Sequence, residues 1–365
     1  GRVWPQTLQV RVAREEGDTL VALELGSEPA VVAAVGGDDF RYVLPNGSGL
    51  EYGLFSLDEK SLGYLVEHAG SLADGRVRGT AWVTLWDQVL EGRLEPGTFL
   101  DIALPALSAE DDELNLGRIL SYVSTAYWRL LAPAERARRA PAVEAAMWGG
   151  VESDRPATAR SSFLGGFRGV ALTPDGVERL RRLWAGEEDV AGLPLSEGDQ
   201  TALATALAVR EVGGWAEILD EQAARIANPD RAARFAFVRP SLDADPAVRE
   251  AFFRSLADPS NREREPWVLE GLGYLHHPLR AEASMNMVRP ALDMIEEIQR
   301  TGDIFFPGRW LGATLGGHSE VETAETVRRF LDETPGLPSR LRGKVLQSAD
   351  MVWRAAGIVH GWSQP

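Results

Sequence analysis

The chain has 365 residues, of which 44% are hydrophobic and 25% are charged, a balance typical of a soluble globular protein with a sizeable core. Its formal net charge of −16 argues against nucleic acid as a partner, and its lack of cysteine excludes disulfides and a thiolate nucleophile. No apolar run approaches the roughly 20 residues that cross a bilayer, so we predict no membrane span and leave cytoplasmic and exported locations open.

Residues 1–55 show the alternation of apolar and polar residues that is typical of short antiparallel strands. Leu8, Val10 and Val12 share one face, and three further runs follow at residues 20–25, 31–35 and 40–44. We therefore predict a small antiparallel β-sandwich module over residues 1–55, which leans on the helical part of the chain for its second layer. Asn46-Gly47 predicts a tight turn with positive φ, from which residues 50–55 pair back as a strand.

The pattern changes to helix signals at Ser56, which marks a domain seam. Ser56 and Glu59 have the capping-box spacing, in which a hydroxyl and a carboxylate satisfy the first N–H groups of a helix. Later helix starts place an oxygen-bearing side chain before a proline, whose fixed φ suits the first helical turn. These starts are Thr173-Pro174, Asn228-Pro229, Asp245-Pro246 and Asp258-Pro259.

We predict one large α-helical domain over residues 56–365. Residues 232–237, 248–256 and 267–275 have the spacing of stacked neighbouring helices, and residues 341–359 form a final long one. The fold class is thus mostly α, a HEAT-like superhelix without a strict repeat, preceded by the β-sandwich module. The glycine-rich residues 147–169 predict a loop or irregular connection.

The sequence offers no side-chain pattern for catalysis. His276 and His277 are adjacent and project about 100° apart on a helix, so they do not chelate one zinc ion, and a role at a helix end is favoured. No Gly-x-Ser-x-Gly elbow surrounds Ser161 or Ser284, and the acidic pairs are interpreted as solvated surface. We predict no catalytic, cofactor-binding or metal-ligating residue.

Charged side chains beside aromatic residues are the remaining candidates for ligand contact. Two interpretations of residues 300–310 stay open: the aromatic and charged groups line a peptide-facing cavity, or the aromatics anchor a loop while Asp303 caps a neighbouring helix. The second is favoured. The peptide-facing candidates are Arg300, Asp303, Arg309, Arg342 and Arg354.

Several segments in order resemble the C-terminal half of zinc aminopeptidases of the aminopeptidase N family, and together they cover almost the whole chain. Three of them are Leu44-Pro45-Asn46-Gly47 with Tyr52-Gly53-Leu54-Phe55-Ser56-Leu57-Asp58, Arg78-Gly79-Thr80-Ala81-Trp82 with Leu85-Trp86-Asp87, and Thr301-Gly302-Asp303-Ile304-Phe305-Phe306-Pro307. The resemblance implies a small β-sandwich that follows a catalytic domain and leads into a large helical domain.

The resemblance further implies a parent enzyme that removes N-terminal residues from peptides with one zinc ion, held by two histidines and a glutamate. Neither the family's His-Glu-x-x-His motif nor its Gly-Ala-Met-Glu-Asn-type segment, which grips the substrate amine, occurs in this sequence. Gly1 stands where an initiator Met is expected, which fits an excised fragment.

We therefore expect a non-catalytic C-terminal fragment that holds no cofactor, the zinc being in the parent's catalytic domain. Its expected partners are that catalytic domain and peptide substrates, with the helical domain enclosing the active-site chamber. The alternative is a stand-alone helical-repeat module that binds a peptide or protein. An enzyme that uses scattered aspartates and arginines is the weakest interpretation.

Overall fold

The computed structural model describes residues 5–26, 30–32 and 39–363. Helices make up 68% of the structure, and the strands form a small three-stranded antiparallel sheet near the N-terminus. The predicted mostly helical fold with a small antiparallel β module at its start is confirmed. Within the described ranges, no helix is both long enough and apolar enough to cross a membrane.

Three strands and seventeen helices are assigned within these ranges. The strands are β1 Gln6–Arg14, β2 Gly17–Leu25 and β3 Tyr42–Leu44. The helices are α1 Glu59–His68, α2 Gly75–Leu90, α3 Pro96–Ala109, α4 Glu113–Thr125, α5 Pro133–Glu152, α6 Ala157–Val170, α7 Pro174–Ala185, α8 Glu197–Val209, α9 Trp215–Arg225, α10 Pro229–Val238, α11 Pro246–Ser255, α12 Glu265–Leu275, α13 Ala281–Asp293, α14 Ile295–Thr301, α15 Phe306–Leu315, α16 Val321–Glu333 and α17 Ser339–His360.

The chain divides into two compact units. The first holds the sheet and the first helices, up to Tyr127, together with Ala145–Phe163. The second holds Trp128–Glu144 and the residues from Leu164 onward. The predicted boundary after Phe55 stays a prediction.

The sheet has the order β2-β1-β3, with β1 antiparallel to both neighbours. Leu8, Val10 and Val12 are all at most 5% exposed, which confirms that they share a buried face. Of the strand predicted at residues 31–35, Val31 and Val32 are not in a strand, and residues 33–38 lie outside the described residues.

The turn at residues 46–49 differs from the prediction. Gly49, and not Gly47, has the positive φ of 76°, and residues 50–55 do not form a strand. Gly47 is required for another reason: its N–H donates to the Gln9 carbonyl at 2.7 Å, and a Cβ at this position would lie 2.5 Å from the same oxygen. The glycine therefore serves the close approach of the turn to β1, a tertiary contact that the turn pattern alone does not reveal.

We expect Gly47→Ala to lower the free energy of unfolding by about 1–3 kcal/mol, because backbone atoms of β1 surround the added methyl group. Gly63→Ala is the matched control. Gly63 is exposed inside α1 with nothing near its Cβ position, so alanine is expected to be neutral or to stabilise by up to about 1 kcal/mol. Urea unfolding of both variants measures the difference, and equal effects would contradict this account.

Helix α1 begins close to the predicted position, but its cap is different. Asp58, rather than Ser56, is the N-cap residue, and its carboxylate accepts hydrogen bonds from the Ser61 N–H at 2.9 Å and the Ser61 hydroxyl at 2.6 Å. Glu59 is the first helical residue and not the reciprocal partner of a capping box. Asp58 is a better N-cap than Ser56 because a carboxylate acceptor is favoured at the positive end of the helix dipole.

The four predicted cap and proline pairs are confirmed. Thr173, Asn228 and Asp245 each accept a hydrogen bond from a backbone N–H in the first turn of α7, α10 and α11. Asp258 caps a short 3-10 turn, Pro259–Arg262, in the same manner. A proline at the first helical position removes an N–H that has no partner in the helix, which explains why this signal is reliable.

The prediction of an irregular connection over residues 147–169 is wrong. Most of this segment lies in α5 and α6. A Cβ on Gly150 would lie 2.2 Å from the ring of Phe163, which is fully buried. Gly150 therefore permits close contact between two helices, and this benefit outweighs its low helix propensity.

The second unit is built around a core that α11 to α17 share, in which Trp310 is fully buried and its indole N–H donates to the Ala291 carbonyl at 3.1 Å. The final helix is confirmed, slightly longer than predicted, as α17. One stripe of α17 is buried, namely Leu341, Val345, Ala349 and Val352.

Candidate functional site

A crevice in the second unit lies between α8, α10 and α12, and we call it the α8–α10–α12 crevice. It encloses about 310 Å³, which is near the lower end of the size range of small-ligand sites. Its lining residues are Gly198, Thr201, Ala202, Thr205, Ile226, Arg231, Arg234, Phe235, Val238, Glu270 and Tyr274.

One wall of the crevice is a charged network centred on Glu270. The Arg234 Nε donates to Glu270 Oε2 at 2.5 Å, and the Tyr274 hydroxyl donates to Glu270 Oε1 at 2.9 Å. The hydrogen bond to Glu270 raises the pKa of Arg234, and burial, followed by the negative charge of Glu270, raises the pKa of Tyr274. Tyr274 is therefore a neutral donor at physiological pH and Arg234 stays charged.

On the opposite wall, side chains are positioned by hydrogen bonds between neutral groups and by one ion pair. The Gln222 side-chain amide donates to the Thr201 hydroxyl at 3.0 Å and accepts from the Trp184 indole N–H at 3.0 Å. At the rim, Arg231 pairs with Glu197 across 3.1 Å, and Arg231 remains 61% exposed. Polar groups on both walls are thus fixed before any ligand arrives.

The floor is apolar, since Phe235 and Val238 are buried there and Ile226 lies beside them. The Glu270 carboxylate already accepts from two donors, so the polar wall is fixed in a geometry suited to binding. A ligand would place an apolar group on the floor and polar groups at the rim.

These groups were missed from the sequence, although a signal was available. Glu270 and Tyr274 are four residues apart on a predicted helix, as are Thr201 and Thr205 on α8, so each pair shares a face. The sequence does not reveal that this face of α12 and this face of α8 pack near each other and near α10.

The structure places the predicted candidates elsewhere. Asp303 accepts from the Phe305 and Phe306 N–H groups, at 2.6 and 2.7 Å, and hydrogen bonds from these amides, the Phe305 N–H first, hold its pKa below the usual value. It caps the start of α15, its own following helix. Phe306 is 1% exposed and anchors the loop, whereas Phe305 is 65% exposed with the Arg309 guanidinium 5.7 Å from its ring centre.

The other candidates are dispersed. Arg300 is exposed in the last turn of α14. Arg342 donates to the Leu331 carbonyl at 2.9 Å, and Arg354 pairs with Asp350 one turn earlier on α17 at 2.8 Å. None of the five lines the α8–α10–α12 crevice, and their role as peptide-facing residues stays a prediction.

Two histidines form a buried pair that the sequence did not suggest. His276 is the C-cap of α12, and its Nδ1 lies 2.9 Å from Nε2 of His318, both side chains being at most 1% exposed. The Thr323 hydroxyl lies 3.2 Å from His318 Nδ1. Burial, and then the neighbouring His318, lowers the pKa of His276 well below its ordinary value. The predicted position of His276 at a helix end is correct, and its ring bonds the ring of His318 there.

This pair predicts a loss of stability in acid. The pKa of His276 is lower in the folded state than in the unfolded state, where it is near 6.5. Above pH 6.5 the free energy of unfolding is therefore unaffected by this group. As the pH falls below 6.5 the unfolded state binds a proton that the folded state does not, and the free energy of unfolding decreases. We expect a loss on the order of 1 kcal/mol for each pH unit below pH 6.5 from this one group. Urea unfolding of the chain and of His276→Gln, at pH 8.0 and pH 5.5, measures it.

The glutamine variant should lose less stability between the two pH values than the unsubstituted chain does. Thr323→Val, which removes a neighbouring hydroxyl and no titrating group, should change stability equally at both pH values. Parallel pH profiles for His276→Gln and the unsubstituted chain would show that His276 does not stay neutral in the fold.

No protein-family model matches the chain, and a search of curated proteins finds no match.

Proposed function

We propose that this chain is the non-catalytic C-terminal region of a zinc-dependent aminopeptidase of the aminopeptidase N family. In this proposal its helices form a HEAT-like superhelix that encloses the active-site chamber and controls the access of peptides. The observation that carries the proposal is the α8–α10–α12 crevice, whose polar groups already satisfy one another and whose floor is apolar.

A crevice of this kind suits peptides of varied sequence. Glu270 and Tyr274 already form a hydrogen bond with each other. A bound peptide side chain is therefore held mainly by apolar contact with the floor. Arg231 and Arg234 remain at least half exposed at the rim, where they can contact backbone carbonyls of an extended peptide. Such contacts are weak and tolerant, as required of a surface that admits many substrates.

The packing of chain neighbours supports the superhelix. Helix α8 contacts both α7 and α9, and α16 contacts α17, so successive helices pack side by side. This is the local arrangement from which helical-hairpin arrays are built.

Two of the segments that resemble the family, residues 44–58 and 78–87, lie in the first unit. Trp82 is 1% exposed, and Trp86 stacks on Tyr122 with ring centres 4.6 Å apart. These residues define a fold and carry no chemistry themselves, which is consistent with a region whose role in the parent is enclosure.

We expect the purified 365-residue chain to bind no stoichiometric zinc and not to hydrolyse aminoacyl-amide substrates. Metal analysis after gel filtration and a chromogenic aminoacyl assay test this expectation. One zinc ion per chain together with turnover that a chelator abolishes would contradict the proposal.

The access role is tested in the intact parent protein by filling the crevice. Ala202→Phe narrows it, whereas Ala206→Phe places the same ring one turn later on α8, outside the lining. We expect Ala202→Phe to reduce kcat/KM for a long unstructured peptide about five- to tenfold, the effect of about 1 kcal/mol of lost binding, through a raised KM. A single aminoacyl reporter should be unaffected.

Equal reductions for the long peptide and the reporter would remove the access role, as would no change with either substrate. Circular dichroism of both variants controls for misfolding.

The same crevice also fits the second candidate, a stand-alone helical-repeat module that binds peptides. The reading frame upstream of Gly1 separates the two. A His-Glu-x-x-His motif upstream supports the peptidase, and a start codon next to Trp4 supports the stand-alone module.

A further inference from the structure

Glu211 has an unusual backbone conformation at the end of α8. Its φ of 52° is the only positive value for a residue other than glycine in the part of the chain that the structure describes. The Glu211 N–H donates to the Ala208 carbonyl at 3.0 Å, and the Val212 N–H donates to the Leu207 carbonyl at 3.4 Å. These two bonds form a Schellman motif, whose left-handed position is usually glycine. Glutamate is strained there, and such strain is concentrated at functional sites.

Other helices of the chain end in the usual way. Gly92, Gly186 and Gly361 lie at the ends of α2, α7 and α17, with φ of 68°, 75° and 69°. Glycine adopts this conformation without the clash that a Cβ would cause. At position 211 a glycine would relieve the backbone, and what it would lack is the carboxylate.

The Glu211 carboxylate lies beside two buried guanidinium groups. Its Oε1 is 3.3 Å from Arg249 Nη1 and 3.4 Å from Arg280 Nη2, and these arginine side chains are only 5% and 2% exposed. Both distances are longer than the roughly 2.8 Å of a strong charge-assisted hydrogen bond. Because Glu211 is itself 44% exposed, its carboxylate is held loosely and reaches solvent.

Backbone carbonyls hold both arginines in place. Arg249 Nη1 donates to the carbonyls of Asp243 and Ala244, at 2.6 and 2.9 Å. The carbonyls that accept from Arg280, at 2.9 to 3.0 Å, are those of Ala208, Ser241 and Leu242. The two guanidinium groups are therefore positioned independently of Glu211, as a binding site formed in advance requires.

The two arginines keep donors and positive charge that the fold does not use. Arg280 Nε is buried and has no hydrogen-bond partner, and Arg249 bonds through Nη1 alone, among the described residues. Burial, and then the positive charge of Arg249, lowers the pKa of Arg280 to about 10, although Glu211 and Asp243 oppose this shift. Arg280 is thus charged at neutral pH, and Glu211 is the one carboxylate that contacts the two guanidinium groups within the described ranges.

We propose that Arg249 and Arg280 form a binding site for the carboxylate of a ligand, and that Glu211 occupies this site when the ligand is absent. The ligand is a small organic acid or a peptide with acidic side chains. Its carboxylate replaces that of Glu211 beside both guanidinium groups, while the Glu211 side chain turns into the solvent. The group that occupies the site in the structure is a carboxylate, which favours this class of anion.

Isothermal titration calorimetry of the 365-residue chain with succinate, at constant ionic strength set with sodium chloride, tests the proposal. We expect one saturable site, with a Kd about tenfold lower in Glu211→Gln, because the amide no longer competes for the two guanidinium groups. Arg249→Gln should abolish the binding. The matched control is Arg254→Gln, which removes an exposed arginine from the same helix, α11, and should leave the Kd unchanged.

The source of the carboxylate is identified by two further titrations. A capped diglutamate peptide and inorganic phosphate replace succinate, and all three carry a charge of about −2 at pH 8.0. Tighter binding of the peptide assigns the site to acidic side chains, and tighter binding of succinate assigns it to free acids; both results support the proposal. Phosphate that binds as tightly as either carboxylate ligand would overturn it.

The variants also distinguish a ligand site from a permanent ion pair. Glu211→Gly removes the carboxylate and relieves the backbone, so it should fold and bind succinate as tightly as Glu211→Gln. Binding to these variants but not to the unsubstituted chain would show that Glu211 is a permanent counter-ion, and would overturn the proposal. Absence of binding in all forms, or an unchanged Kd in Arg249→Gln, would overturn it too. If Arg249→Gln does not fold, the comparison of the two Glu211 variants with the unsubstituted chain still decides the outcome.

Discussion

The first unit depends on helix side chains that form hydrogen bonds with the sheet and with the segment that follows it. The Ser61 hydroxyl accepts from the Val43 N–H at 2.8 Å, the Thr84 hydroxyl donates to Asn46 Oδ1 at 3.1 Å, and the Gln88 amide donates to the Phe55 carbonyl at 2.9 Å. Ser61, Thr84 and Gln88 are fully buried, so leaving their partners without hydrogen bonds would be costly. A small sheet gains stability by packing against a helix, and the bond between Ser61 and Val43 ties β3 to α1.

The same constraint shapes the α8–α10–α12 crevice. Glu270 is already shared between Arg234 and Tyr274, just as Gln6 and Glu51 bond backbone groups of Tyr52 and Gln9 in the first unit. The crevice therefore presents an apolar floor, with Arg231 and Arg234 partly exposed at its rim.

Local chemistry explains what the sequence predicted well. Thr173, Asn228 and Asp245 cap helices because each carries an acceptor one residue before a proline, and no distant residue is needed for that effect. The roles of Gly150 and His276, in contrast, depend on residues that are distant along the chain. Gly150 is required by the nearby ring of Phe163, and His276 bonds His318, 42 residues away, so neither role exists until the helices have packed.

Native-state hydrogen exchange of the chain with Gln88→Leu tests the central claim most directly, because this substitution removes the hydrogen bond from a buried α2 side chain to the Phe55 carbonyl while keeping similar volume. If the sheet and the first helices form one cooperative unit, amides of β1 and of α2 should lose the same amount of protection free energy. Loss of protection in α2 with unchanged protection in β1 would contradict the account, since the sheet would then be stable without the helix side chains.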